Sequence, residues 1–122
     1  MKKHLLIITA SDDTPIVDEW LQERNEPLDI IYILNEEIPE EVSSWMLYTG
    51  FLGEKPTEDV VNAIKEEMRI RGEERLVMLK ERFSVIKEVQ VTSESVENVI
   101  EENKGKYPEI FIAKRKNIEE VR

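Results

Sequence analysis

His4-Leu-Leu-Ile-Ile-Thr-Ala-Ser-Asp-Asp13 decides the fold class: four consecutive aliphatic residues, Leu5 to Ile8, run straight into a small, acidic turn. A strand with one face in water alternates apolar and polar positions. A strand with no polar position needs cover on both faces, as parallel strands in α/β sheets have. The turn leads into helix signals. Thr14 is a suitable N-cap, Pro15 suits the first helical position, and Asp18 and Glu19 favour the positive end of the helix dipole. Ile16, Val17, Trp20 and Leu21 recur at helical spacing until Asn25-Glu26-Pro27 stops them.

Outward from this unit, strands and helices continue to alternate. Leu28 to Leu34 predicts a second strand. A polar, turn-rich segment from Asn35 to Glu41 and an aromatic stretch come next, and Thr57 then caps a long helix. Val61, Ile64, Met68, Gly72, Leu76, Leu79 and Phe83 form its apolar stripe, spaced by three or four residues. Gly72 within that stripe predicts either a close approach to a neighbour or a local kink. Ser84 to Thr92 alternates better than the first two strands, with Val85, Val89 and Val91 on one side, and so fits a sheet edge. Ser95 offers a cap for a short helix lined by Val96, Val99 and Ile100, and Gly105 ends it. Pro108 to Ala113 predicts a fourth strand, and Lys114 to Arg122 a final helical turn or a charged tail. The reading is one α/β domain over residues 1–122, a three-layer sandwich. Its open, mainly parallel sheet has about four strands and carries helices on both faces.

Composition narrows the function. The chain has 122 residues, 27 acids against 17 bases, a net charge of −10 and no cysteine. Such a surface repels nucleic-acid phosphates and anionic membranes, so neither is expected as a partner. Disulfides, thiolate metal sites and cysteine nucleophiles are excluded. The apolar run after Met1-Lys2-Lys3 is too short for a signal peptide or a membrane span, which places the protein in the cytoplasm. Glu-, Lys- and Arg-rich helices are typical of heat-adapted proteins.

The order of elements, and the stretches His4–Asp13, Ile30–Leu34, Val89–Ile100 and Gly105–Lys116, resemble the universal stress protein family over nearly the whole chain. The resemblance implies a sheet order of 3-2-1-4 and dimerisation. It also implies a nucleotide crevice at the carboxyl ends of the strands. The match is one of layout. Family members that bind nucleotide continue from the fourth strand into glycines that let backbone N–H groups approach phosphates. Here Ala113-Lys114-Arg115-Lys116-Asn117-Ile118 stands in that place, with Arg115 the sole match. The chain also stops where the family continues into a fourth helix and a fifth strand. Ala10 occupies the position of the family's aspartate, with Asp12 and Asp13 just beyond.

These features support two functional expectations. The first is a non-enzymatic stress-type protein acting by self-association, as a homodimer, or by binding a protein partner. Its interface is Trp45, Met46, Tyr48, Phe51 and Leu52, where Trp45, Tyr48 and Leu52 share one helical face and the aromatic content matches interface cores. The bland reading of the same stretch is a loop folded over the core. The second is a nucleotide-binding switch taking ATP or AMP with magnesium in the crevice, through Asp12, Asn35, Lys114 and Arg115. No catalytic residues are expected: there is no serine elbow, and the lone His4 precedes the first strand as a strand-edge or surface histidine. Asp12-Asp13 reads as a capping device in preference to a metal site.

Overall fold

The computed structural model describes residues 3–34 and 58–121. The expected cap Thr57, the crevice residue Asn35 and the aromatic interface Trp45, Met46, Tyr48, Phe51 and Leu52 lie outside the described residues.

Among the described residues the chain forms β1 (His4–Thr9), a 3-10 turn (Ala10–Asp12), α1 (Ile16–Gln22), β2 (Leu28–Ile33) and α2 (Glu58–Arg82). β3 (Ile86–Thr92), α3 (Val96–Asn103), β4 (Ile110–Ala113) and β5 (Ile118–Val121) complete it. The sheet order is β3-β2-β1-β4-β5. The first four strands are mutually parallel and β5 is antiparallel to β4.

The apolar runs form strands because both faces are covered. Leu5, Leu6, Ile7 and Ile8 have no exposed surface. Leu6, Ile8, Leu28, Ile30, Tyr32 and Phe111 face one core, against Val17 and Leu21 of α1 and Leu76 and Leu79 of α2. Leu5, Ile7, Ile31, Ile33, Ile110 and Ile112 face the other, against Val99 of α3. This division is a result of crossover handedness. The path from β1 through β2 to β3 moves one way, so α1 and α2 share a face. The return from β3 to β4 reverses direction, and a right-handed crossover then needs α3 on the opposite face.

Three local expectations are corrected. The segment after Lys114 is neither helix nor tail but strand β5, so the sheet has five strands. Thr14 makes no side-chain cap; α1 starts one residue later, after Pro15, and the Thr14 hydroxyl bonds elsewhere. Val85, Val89 and Val91 do pack on one core, but β3 begins at Ile86 and its alternation is interrupted. Leu28 pairs with Ile86 but Ile30 with Val89, so two residues of β2 oppose three of β3. This bulge at Lys87-Glu88 keeps Ile86, Val89 and Val91 on one core. The buried Asp29 carboxylate accepts the Glu88 backbone N–H there, at 3.2 Å.

β3 does occupy a sheet edge. Ser95 does cap α3, its hydroxyl accepting from the Asn98 N–H. Gly72 marks a close approach: a Cβ placed on it would lie 3.1 Å from the Tyr32 ring and 3.5 Å from Leu34. α2 therefore crosses the sheet from Gly72 onward. The part of α2 before Gly72, residues 58–71, is about 21 Å of helix at 1.5 Å rise per residue.

Candidate functional site

The direction of strand order reverses at β1, which makes the gap between the carboxyl ends of β1 and β4 the topological switch point. Two turns meet there. Asp12 ends the 3-10 turn after β1, where its Oδ2 accepts the Thr9 hydroxyl at 3.0 Å. Its other oxygen lies 3.9 Å from Arg115 Nε. The Thr14 hydroxyl donates to the Arg115 carbonyl at 3.3 Å, tying the two turns together. The structure thus brings Asp12 and Arg115 to one mouth. Lys114 shares the turn with an exposed side chain, while its backbone N–H donates to the Asn117 carbonyl at 2.7 Å.

The Lys114–Asn117 bond closes a tight turn after β4. Ala113 pairs directly with Ile118, so residues 114–117 form the turn of a β-hairpin. A phosphate loop needs a strand that leads into a helix whose free N–H groups converge on the anion. Here the next N–H and C=O groups enter a sheet ladder.

Beside the switch point lies a second charged group, which sequence reasoning missed. Arg75 of α2 donates from Nε to Asp13 Oδ2 at 3.1 Å and from Nη2 to Asp13 Oδ1 at 3.2 Å. Its Nη2 also donates to Asp18. Arg82 donates to the other Asp18 oxygen at 3.1 Å, and the Tyr32 hydroxyl reaches Asp13 at 3.4 Å. Burial alone would push the Arg75 pKa down, but hydrogen bonds and charges from Asp18 and Asp13 outweigh it and hold it above the ordinary value. Tyr32 is pushed up to about 12, chiefly by burial and then by the Asp13 carboxylate. An open depression of about 280 Å³ lies here, lined by Asp13, Thr14, Pro15, Asp18 and Arg75. The available signal was small: Asp18 looked like a dipole residue, and Arg75 borders the apolar stripe of α2.

Chemically, the neighbourhood is a set of neutralised pairs. Asp12 and Asp13 turn to different partners instead of converging, and among the described residues no three His, Cys, Asp or Glu side chains gather as metal ligands. His4 begins β1 at the end opposite the switch point, and its imidazole is 12% exposed. It lies between Glu26, at 2.8 Å, and Glu109, at 3.7 Å, with its ring against Phe111.

Comparison with protein-family models, with curated proteins and with solved structures gave no match. The likeness to universal stress proteins rests on an α/β fold with a parallel 3-2-1-4 core. Among the described residues, no helix is long and apolar enough to cross a membrane.

Proposed function

We propose that this protein is a non-enzymatic, universal-stress-protein-like cytoplasmic protein. It acts in stress response by self-association or by binding a protein partner, with no ATP site of the usual kind. One observation carries the reading: β4 continues through residues 114–117 into an antiparallel strand, where a phosphate site would require a helix N-terminus. The pairing of Asp12 with Arg115 and of Asp13 with Arg75 supports it, because a ligand would have to displace bonds already made. Trp45, Met46, Tyr48, Phe51 and Leu52 supply interface-type chemistry for the association.

Calorimetric titration with ATP, ADP and AMP, each to millimolar concentration with magnesium, tests this. The expected result is no heat and no thermal stabilisation. A homodimer is expected by gel filtration with light scattering, and a monomer at high concentration would remove the self-association half of the reading.

The second reading is a nucleotide-binding switch taking ATP or AMP with magnesium. The convergence of Asp12 and Arg115 at the switch point favours it, with Lys114 on the same turn and Asn35 just after β2 in sequence. Micromolar nucleotide binding that disappears in Arg115→Ala would put this reading first.

A further inference from the structure

Among the described residues, large apolar side chains stand exposed at three positions, all on α2: Ile70 at 37%, Val77 at 54% and Met78 at 54%. At about 100° per residue they centre on the side opposite Gly72, Leu76, Leu79 and Phe83, the stripe that packs on the sheet. Glu74 and Glu81 fall between Ile70 and Met78 on that outer arc, and both are exposed. The other acids of the central helix are occupied: Glu66 and Glu73 pair with Arg69, and Glu67 with Arg71. Glu74 and Glu81 have no ion pair among the described residues.

We infer that this face of α2 docks a basic amphipathic helix of a protein partner. The partner's apolar ridge would lie on Ile70, Val77 and Met78, with Lys or Arg reaching Glu74 and Glu81. The inference rests on the partner-binding reading above and adds to it a surface distinct from the aromatic residues named there. Charge selects the occupant. A second copy related by a two-fold axis would bring Glu74 and Glu81 against the same two residues, within chains that each carry −10. Acids in the centre of the patch repel an anionic bilayer. A cationic helix instead turns both carboxylates into cross-interface pairs, and Met78 adapts its shape to the ridge it meets. The patch is small, so the contact is weak and salt-dependent, steered by charge.

The probe is a fluorescein-labelled peptide of about three heptads, with Leu at a and d and Lys at e and g. Anisotropy against the full chain is compared with a scrambled peptide of the same composition. The expected result is micromolar binding of the amphipathic peptide, weakened roughly tenfold in Val77→Ser/Met78→Ser. Glu74→Lys/Glu81→Lys should weaken it similarly and flatten its salt dependence. All four positions are exposed, so circular dichroism should show folded variants. No binding, equal binding of the scrambled peptide, or unchanged affinity in either variant overturns the inference. Sedimentation supplies one further outcome: a wild-type dimer that dissociates in Val77→Ser/Met78→Ser would make the occupant a second copy, and overturns it too. Nucleotide binding in the calorimeter would refute the proposed function without touching this result.

Discussion

Replacing Arg75 by methionine keeps the aliphatic stem on the flank of α2 and deletes only the guanidinium. Arg75, Asp13 and Asp18 expose 18%, 13% and 22% of their side chains, so the pairs are largely removed from water. Asp18 keeps Arg82 after the change, but Asp13 keeps only the Tyr32 hydroxyl at 3.4 Å. An orphaned, fully buried charge costs about 3–5 kcal/mol, and partial hydration of Asp13 lowers the expected loss to about 2–3 kcal/mol. At an m-value of about 1.5 kcal/mol/M, the urea midpoint should fall by roughly 1.3–2 M. Urea titration monitored by the fluorescence of Trp20 and Trp45 and by far-ultraviolet circular dichroism measures it, and coincident curves establish two-state behaviour. The decisive comparison adds Asp13→Asn to Arg75→Met. Removing the orphaned charge should return about 1 kcal/mol or more, because much of the single-variant loss is an unpaired carboxylate and not a missing contact. A single variant within ~0.5 kcal/mol of wild type, or a double variant no more stable than the single, would show that this network does not hold α1, α2 and β2 together.

The packing around Tyr32 leads to two further outcomes. Gly72→Ala sets a gain of up to about 1 kcal/mol in helix propensity against a Cβ at 3.1 Å from a buried ring, so thermal denaturation should show little net change. Gly72→Leu adds further bulk at the same contact and should lower stability by about 1–3 kcal/mol; a stabilised leucine variant would mean that the helix does not approach β2 this closely. The second outcome concerns alkaline pH. Tyr32 is raised to about 12 by burial and by Asp13, and Tyr107 is raised by burial and by its hydrogen bond to Asp29. A raised folded-state pKa gives stability that is complete below the unfolded value near 10 and is lost as pH climbs through the folded value. For Tyr32 the window runs from about pH 10 to 12, and the loss is on the order of 2–3 kcal/mol. The tyrosinate absorbance of Tyr32 and Tyr107 should rise late and together with unfolding; full ionisation of all three tyrosines in a still-folded protein at pH 10 would contradict the burial.

The fold was legible where burial leaves no choice of pattern. Leu5 to Ile8 can only be a strand covered on both faces, and the stripe from Ile64 to Phe83 can only be helix. β5 escaped because Ile118-Glu119-Glu120-Val121 has a spacing of three between its apolar residues. At the sheet edge each core needs just one of them: Ile118 packs on the α1 side and Val121 on the α3 side, while the acids between meet water. The spacing of three between Ile86 and Val89 hid the β3 bulge in the same way, since period-two alternation assumes an unbroken ladder. At the candidate site, strand order alone was enough to put Asp12 and Arg115 at the carboxyl end. The Arg75 network was not legible, because its partners Asp13 and Asp18 lie 62 and 57 positions away and nothing local marks the pairing.

These same irregularities bear on how the protein can associate. An open sheet invites strand addition at its edges unless charge or geometry blocks it. β3 carries the bulge, with exposed Lys87 and Glu88 at its start, and β5 is four residues long with exposed Glu119 and Glu120. A strand added to β5 by a second copy in register would place carboxylates beside carboxylates on both faces, which weakens the sheet-edge route to a dimer. The helical layers present no open hydrogen-bond ladder, and their exposed apolar side chains are unevenly shared. α1 and α3 expose no large apolar side chain among the described residues, whereas α2 exposes three on its outward face. If association uses the described part of the molecule, α2 is therefore where apolar area is available without breaking a hydrogen-bond ladder. Substituting Glu119 and Glu120 by Thr separates the two routes: it removes the charge block at β5 and leaves α2 untouched. Concentration-dependent association appearing only in that variant would show that the acids of β5 keep the edge closed, and an unchanged sedimentation profile would show that its short length suffices.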